Sequence, residues 1–367
     1  MKVKHLLRVL GWLVLGLVLA GLSYVGYYRL DRHFARRAYE ARISGQLPRI
    51  QRAPDGSVAL RNPVVAQAAD PWIVAVDSQT YLYVYSDHDR LIGKLSPNIY
   101  DWDEREPAWI WQSDTLVDYW APEAHRVAGR WVIYFAANHG EPLVEGAHRT
   151  YVLEAVNNDP RRGFRMYGKL VLPTDELAID ATPLRYRDKD YLIYSGTEPG
   201  DWLHQKLFIT ELSDPFTPRG TPRLIARPTY DWELRGRRLG FWPTINEGPE
   251  VLQRDGRTFV VYSASGSWSD DYTLGLLELV GSDPLRPESW RKDPAPVLAS
   301  ANGVLAPGHA GLVRYAGQDF IAFHAAKHRK AAWDREMHLQ PFTWREGKPY
   351  FGQPLGRDTV VYTDRMR

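Results

Sequence analysis

The sequence has no cysteine. Disulfides, thiolate nucleophiles and cysteine-held zinc or iron–sulfur centres are therefore excluded. Export is not excluded, because a domain of this size can stand on its hydrophobic core alone. An excess of charge is also lacking: 46 Lys and Arg face 44 Asp and Glu, for a formal net charge of +2. A nucleic-acid binder carries a basic stripe or patch, and this balance offers no case for one. Between residues 63 and 367 there is no long window of apolar residues at helical spacing, which argues against a helical domain. What is abundant is aromatic: 14 Trp, 21 Tyr and 11 Phe. Such residues suit pleated strands, and flat rings also suit a sugar-lined cleft.

The one helical pattern is N-terminal. "VLGWLVLGLVLAGLSYVGYY", residues 9–28, carries no charge between Arg8 and Arg29. That length just spans a bilayer's hydrocarbon core. Trp12, Tyr24, Tyr27 and Tyr28 lie toward its ends, where interfacial aromatics sit. The expectation is an uncleaved signal anchor. A cleaved signal peptide, with Val18 and Ala20 at the cleavage site, is the rival, but the apolar run continues too far for a usual h-region. Lys2, Lys4 and Arg8 precede the span, and Arg29, Arg32, Arg36 and Arg37 follow it, so charge does not set the orientation. The chain divides into a basic tail (1–8), the anchor (9–28), a basic juxtamembrane helix and linker (29–62) and one β domain (63–367). Residues 29–44 lack Gly and Pro and suit either anionic head groups or a solvated stalk.

The β domain repeats itself. "ADPWIVAVDSQTYLYVYS", from Ala69, alternates Tyr81, Tyr83 and Tyr85 with apolar residues, the period of a strand. Similar units start at Trp120 ("WAPEAHRVAGRWVIYFAA"), Ile179 ("IDATPLRYRDKDYLIYSG"), Asn246 ("NEGPEVLQRDGRTFVVYSAS") and Gly308 ("GHAGLVRYAGQDFIAFHA"). Each is a short strand, a tight turn and a second strand, a hairpin signal. The spacing leaves room for two more strands per unit. Four-stranded units repeated about an axis make a β-propeller, so the expected fold class is all-β, a five-bladed β-propeller behind an N-terminal transmembrane helix. The first strand of each blade then faces the axis. Asp70, Glu123, Asp180, Glu247 and His309 fall at or near corresponding positions and converge at one end.

These segments resemble the successive blade motifs of glycoside hydrolase family 43: "ADPWIV", "WAPEAH", "IDATPLRYRDKDYLIY", "NEGPEVL" and "PGHAGLV", followed by "DREMHLQPFTWREGKPYF" from Asp334. The Asn-Asp-Pro-Asn-Gly type opening of fructan-acting propellers is absent. The resemblance implies inverting hydrolysis of α-L-arabinofuranosides or β-D-xylosides. It assigns Asp70 as general base, Glu247 as general acid and Asp180 as the aspartate that tunes and orients that acid. It implies that Arg335 reaches toward substrate, and that His309 stands in the channel as a candidate ligand of a central ion or water. No cofactor is required, and a structural calcium in the channel is allowed. The chemistry is coherent, since inversion needs one carboxylate to activate water and one carboxylic acid to protonate the leaving oxygen, and a nearby negative charge keeps that acid protonated.

Bland readings stand beside these. Asp70 and Asp180 suit turns. Glu250 competes with Glu247. Glu123 reads as structural, and Arg335 has Asp334 and Glu336 as neighbours. Trp72, Trp120, Phe241, Trp242 and Trp268 suit stacking on sugar or packing between blades; Trp72, Trp120 and Trp242 are taken as substrate-binding candidates with Arg335 and His309. "ANHGEPLVEGAH", residues 137–148, reads as a loop near the cleft mouth. The expected function is an exo-acting, inverting pentosidase, held by its helix outside a bacterial inner membrane, with secretion after cleavage as the alternative. Its partners are an oligo- or polysaccharide substrate and the membrane, not nucleic acid. The other classes are a glycan-binding propeller without turnover and a tethered interaction scaffold.

Overall fold

The tyrosine alternation of the opening segment forms the strand Tyr81–Asp87 in the computed structural model, which describes residues 2–44, 49–52, 54, 57–140, 146–237 and 243–363. It is the second strand of an antiparallel sheet whose first strand is Trp72–Ala75. Four more four-stranded antiparallel sheets follow, each in simple chain order from its first strand. Those first strands are Val117–Val127, Ala178–Tyr186, Asn246–Arg254 and Leu305–Tyr315. Each touches its counterparts in the preceding and following sheets, and the fifth touches the first, so the inner strands close a ring.

Apolar clusters fill the gaps between neighbouring sheets. Leu82, Val84, Ile133 and Phe135 join the first two sheets. Val132, Tyr134, Leu192 and Tyr194 join the second and third. Ile193, Ile209, Val260 and Tyr262 join the third and fourth. Val261, Leu276, Ile321 and Phe323 join the fourth and fifth. Both faces of these strands are covered, which is why their second strands read as near-continuous apolar runs. Between the fifth sheet and the first, Tyr83 and Phe320 share a cluster with Val58, Leu60 and Val361. Residues 58–61 and 360–363 pair there in a three-stranded sheet with Ile50–Arg52. The stretch read as linker up to residue 62 thus carries two strands, and the second of them pairs with residues 360–363 across the seam. The apolar N-terminal run lies within one helix, Lys2–Ser44. Among the described residues it is the one helix long and apolar enough to cross a membrane.

The inner strands share a local irregularity. Asp70, Ala121, Asp180, Gly248 and His309 have positive φ, between 42° and 53°. The ladder shifts register there in the second to fifth sheets. Four of the five residues carry a Cβ, so each such backbone costs on the order of 1–3 kcal/mol. A bulge re-aims the side chains around it, here at one end of the ring. This places the repeats differently from the sequence alignment. Glu247 precedes its bulge by one residue, and Glu123 follows its bulge by two. Glu123 therefore shares a deeper layer with Trp72, Thr182, Glu250 and Gly311.

Candidate active site

Asp70 turns into the ring from the residue pair before the first inner strand. Its Oδ1 lies 3.2 Å from His309 Nδ1, 3.3 Å from His324 Nδ1 and 3.6 Å from an Arg335 nitrogen. Its backbone N–H donates to His324 Nδ1 (3.2 Å). Burial raises the carboxyl's pKa, but His309, His324 and Arg335 outweigh it and hold Asp70 below the usual carboxylate range. Burial also lowers the pKa of His309, and that of His324 to about 3. With both imidazoles neutral at pH 7, the lasting positive charge opposite Asp70 is the Arg335 guanidinium. Asp70 is therefore an ionised carboxylate.

Glu247 is the opposite case. It is buried from the fourth inner strand. Burial pushes its pKa up, a hydrogen bond from Tyr272 pulls it down and the Asp70 charge pushes it up again, to about 7. The Tyr272 hydroxyl donates to Oε1 at 2.8 Å. Tyr272 stacks on His324, with ring centroids 5.5 Å apart, and Arg335 lies over its other surroundings at 5.7 Å. Space for this ring comes from Gly308, where a Cβ would fall 2.0 Å from it.

Asp180 accepts a hydrogen bond from the Gly248 backbone N–H (2.9 Å). It thereby fixes the bulge that carries Glu247, a turn at positive φ beside the His309 ring. Burial and the charges of Glu247 and Asp70 push its own pKa well up. Two buried carboxyls that repel each other's charge retain a proton at neutral pH.

The structure brings together Asp70, Asp180, Glu247, His309 and Arg335. Arg335 turns from its chain neighbours, donating to the Ser267 carbonyl (2.7 Å), while Asp334 pairs with Lys327 and Glu336 with Arg357 and His338. Glu250 stays deeper, with one carboxyl oxygen lacking a hydrogen-bond partner. Glu123 is buried beside His125 (2.8 Å). Trp72 is a correction: it is buried between the first two sheets, donates to the Ala124 carbonyl (2.9 Å) and packs on His125, so it is not a sugar platform. Trp120 is 37% exposed beside the Ala121 bulge, stacked on His148 at 3.4 Å. Trp242 and Phe241 lie outside the described residues, as do residues 141–145 of the expected mouth loop. Sequence reasoning missed His324 and Tyr272. The hairpin register that pairs Gly308 with His324 was the available signal.

Calcium prefers six to eight oxygen ligands. Around His309 stand Asp70 and the Arg335 guanidinium, a set that does not suit that ion. Among the described residues no cluster of three or more His, Asp and Glu side chains has a metal-binding arrangement.

Comparison with known proteins establishes the family. The model of "Glycosyl hydrolases family 43" matches residues 60–349. An "Extracellular exo-alpha-(1->5)-L-arabinofuranosidase" of Streptomyces avermitilis is 30% identical over 318 residues, covering 82% of this chain and 64% of that protein. The enzyme of the same name from Streptomyces chartreusis is 29% identical over 300 residues, covering 78% and 89%. This chain thus spans less than two thirds of the first relative's length. The crystal structure of an α-L-arabinofuranosidase from Lactobacillus brevis superposes with a TM-score of 0.73 at 29% identity, covering 82% of this chain and 98% of that one. With its matched residues running from the seam strand through all five sheets, this chain belongs to glycosyl hydrolases family 43, a family of glycosidases.

Proposed function

We propose that the protein is an inverting, exo-acting glycosidase that removes terminal pentosyl residues, α-L-arabinofuranosyl first and β-D-xylosyl second. The five sheets are its five propeller blades, with the site at one end of the axis. The carrying observation is the divergence of two carboxyls in one site. Asp70 is held ionised, and Glu247 has a pKa of about 7. Carboxyls pushed apart in this way mark a base and an acid.

In this reading Asp70 takes a proton from water as the water attacks the anomeric carbon. Glu247 gives its proton to the departing oxygen. Inversion requires about 6.5–9.5 Å between the two carboxyls, room for that water. Asp180 holds the Glu247 turn and opposes ionisation of the acid. His309 and Arg335 orient Asp70, and Arg335 and Trp120 are the candidate sugar contacts. The reaction needs no cofactor. Arabinose is placed first because the curated relatives are named arabinofuranosidases. An anchored domain outside the cytoplasm fits the apolar helix and a relative named as extracellular.

The test uses 4-nitrophenyl α-L-arabinofuranoside and β-D-xyloside with wild type, Asp70→Asn and Glu247→Gln. Asp70→Asn should lose roughly 10²–10⁴-fold in kcat on these substrates, and Glu247→Gln a comparable factor on an arabino-oligosaccharide, whose poor alkoxide leaving group needs the acid. NMR of the first-formed anomer should show inversion. Retained configuration, full activity of Asp70→Asn on the aryl glycosides, or full activity of Glu247→Gln on the oligosaccharide would refute the roles.

A further inference from the structure

We propose that the sugar this site acts on is carried by a membrane lipid and is met a short distance above the lipid head groups. This rests on the glycosidase reading above and on the N-terminal helix being retained.

The helix does not leave the domain free on a tether. Tyr28, Asp31, Ala35 and Tyr39 are half-buried along one of its faces while their neighbours are exposed. Those positions fall at helical spacing. Lys330 Nζ lies 5.0 Å from the ring centres of both Tyr27 and Tyr28, and it also pairs with Asp31. Arg329 pairs with Asp31 at 3.2 Å. Tyr39 donates to Glu336 at 2.7 Å, and Arg42 pairs with Asp358 at 3.2 Å. These contacts fix the point where the apolar run ends against the loop of residues 327–334.

That loop joins the second and third strands of the fifth sheet. In an antiparallel sheet the second strand ends where the first begins, so the loop shares an end with His309 and the other bulges. Its continuation supplies Arg335, which stands 3.6 Å from Asp70. Five residues span at most about 17 Å. Asp70 therefore lies on the order of 20 Å from the end of the apolar run. Head groups occupy roughly 5–8 Å on each side of the hydrocarbon. Trp333, 57% exposed in the same loop, and Lys330 and Arg329 beside it are the residue types found at a membrane interface. The basic residues Arg29, Arg32, Arg36 and Arg37 project from the helix on its exposed sides, where anionic lipid would face them. The loop that leads into Arg335 is thus the part of the ring against which the apolar run ends. A sugar one or two residues above a lipid reaches Asp70, whereas a bulky polymer meets the bilayer first.

The test compares two substrates with the full chain reconstituted in phosphatidylethanolamine–phosphatidylglycerol vesicles. One is an α-L-arabinofuranoside joined through a short oligo(ethylene glycol) spacer to a hexadecyl chain embedded in the same vesicles, and the other is soluble 4-nitrophenyl α-L-arabinofuranoside. In a lifted variant, fourteen helical residues are inserted after Leu22, seven apolar to complete the span and seven polar beyond it. At 1.5 Å per residue this raises the docked domain about 21 Å. Hydrolysis of the embedded glycoside should fall tenfold or more in the lifted variant. The soluble rate should stay within twofold, which also shows that the domain is folded. Equal embedded-substrate rates in the two proteins, with soluble activity intact, would overturn the proposal. So would mass spectrometry of the natively expressed protein showing a mature N-terminus after the apolar run. Failure to hydrolyse the soluble glycoside at all would instead overturn the arabinofuranosidase reading beneath it.

Discussion

Tyr272→Phe isolates the hydrogen bond that restrains the pKa of Glu247. The Tyr272 hydroxyl donates to Glu247 Oε1 at 2.8 Å, and that bond favours the ionised carboxylate. Hydrogen bonds to charged groups contribute about 1.5–3 kcal/mol, and about 1.4 kcal/mol corresponds to one pH unit. Losing the hydroxyl should therefore raise the Glu247 pKa by about 1–2 units from its starting value of about 7. A general acid must be protonated to act, so the alkaline limb of the kcat profile should move up by that amount. The phenyl ring keeps the stacking on His324, and Asp70, held below the usual carboxylate range, contributes no acidic limb above pH 4. The assay is kcat against pH between 4 and 10 on an aryl arabinofuranoside, with thermal melting as a folding control. An alkaline limb that stays put, or moves to lower pH, would refute the assignment of Glu247 as the acid.

Three further outcomes follow from the same geometry. Glu247→Gln should melt several degrees above wild type at pH 8, with the gap closing near pH 4.5. A group whose folded pKa is raised, here from about 4.5 to about 7, loses its stabilising contribution as pH rises through the folded value, which amounts to about 3 kcal/mol at alkaline pH; equal melting at pH 8 would contradict it. Gly308→Ala places a methyl 2.0 Å from the Tyr272 ring and should cost about 1–3 kcal/mol while moving the alkaline limb in the direction of Tyr272→Phe; an unchanged profile would show that Tyr272 is not held by that contact. Glu233→Ala removes a buried carboxylate that accepts from Lys292, Asn246 and Tyr262 and from the Thr229 and Tyr230 backbone. It should cost about 3–5 kcal/mol in urea unfolding, because Lys292 is left without its counter-charge, and a loss below 1 kcal/mol would argue against that network.

Much of the site was legible in sequence because the repeat carries its own register. Asp70 beside Pro71, Asp180 in "AIDATP" and Glu247 in "NEGP" each sit at the start of an alternating strand, and all three converge in the structure. His309 joins them for the same reason, whereas Arg335, at the start of the third strand of the fifth sheet, was named through the resemblance of the segment from Asp334. The errors concern quantities that no local window holds. Glu123 was aligned with these residues, but its bulge lies two positions earlier, at Ala121. Trp72 sits in a site motif, yet its ring turns between sheets to meet Ala124 and His125. Pleated backbone alternates sides, and the displaced pairing at a bulge reverses which side a residue takes. His324 and Tyr272 carry no motif at all. His324 lies in the second strand of the fifth sheet and Tyr272 just before the third strand of the fourth, and the tyrosine ring reaches the site because Gly308 leaves room for it.

The sequence by itself determined the all-β pattern, the apolar helix, the family and the three carboxylates. The first two are matters of residue spacing along a segment; the family and the choice of carboxylates rest on the resemblance of six motifs taken in order. Only the tertiary structure decided that Asp70 is ionised while Glu247 holds its proton to about pH 7. Those states depend on burial and on His309, His324, Tyr272 and Arg335, which arrive from the last two sheets. Tertiary structure also decided that the helix is docked against residues 327–336. A charge or a ring acts through a few ångströms of space, and folding alone sets which residues share it.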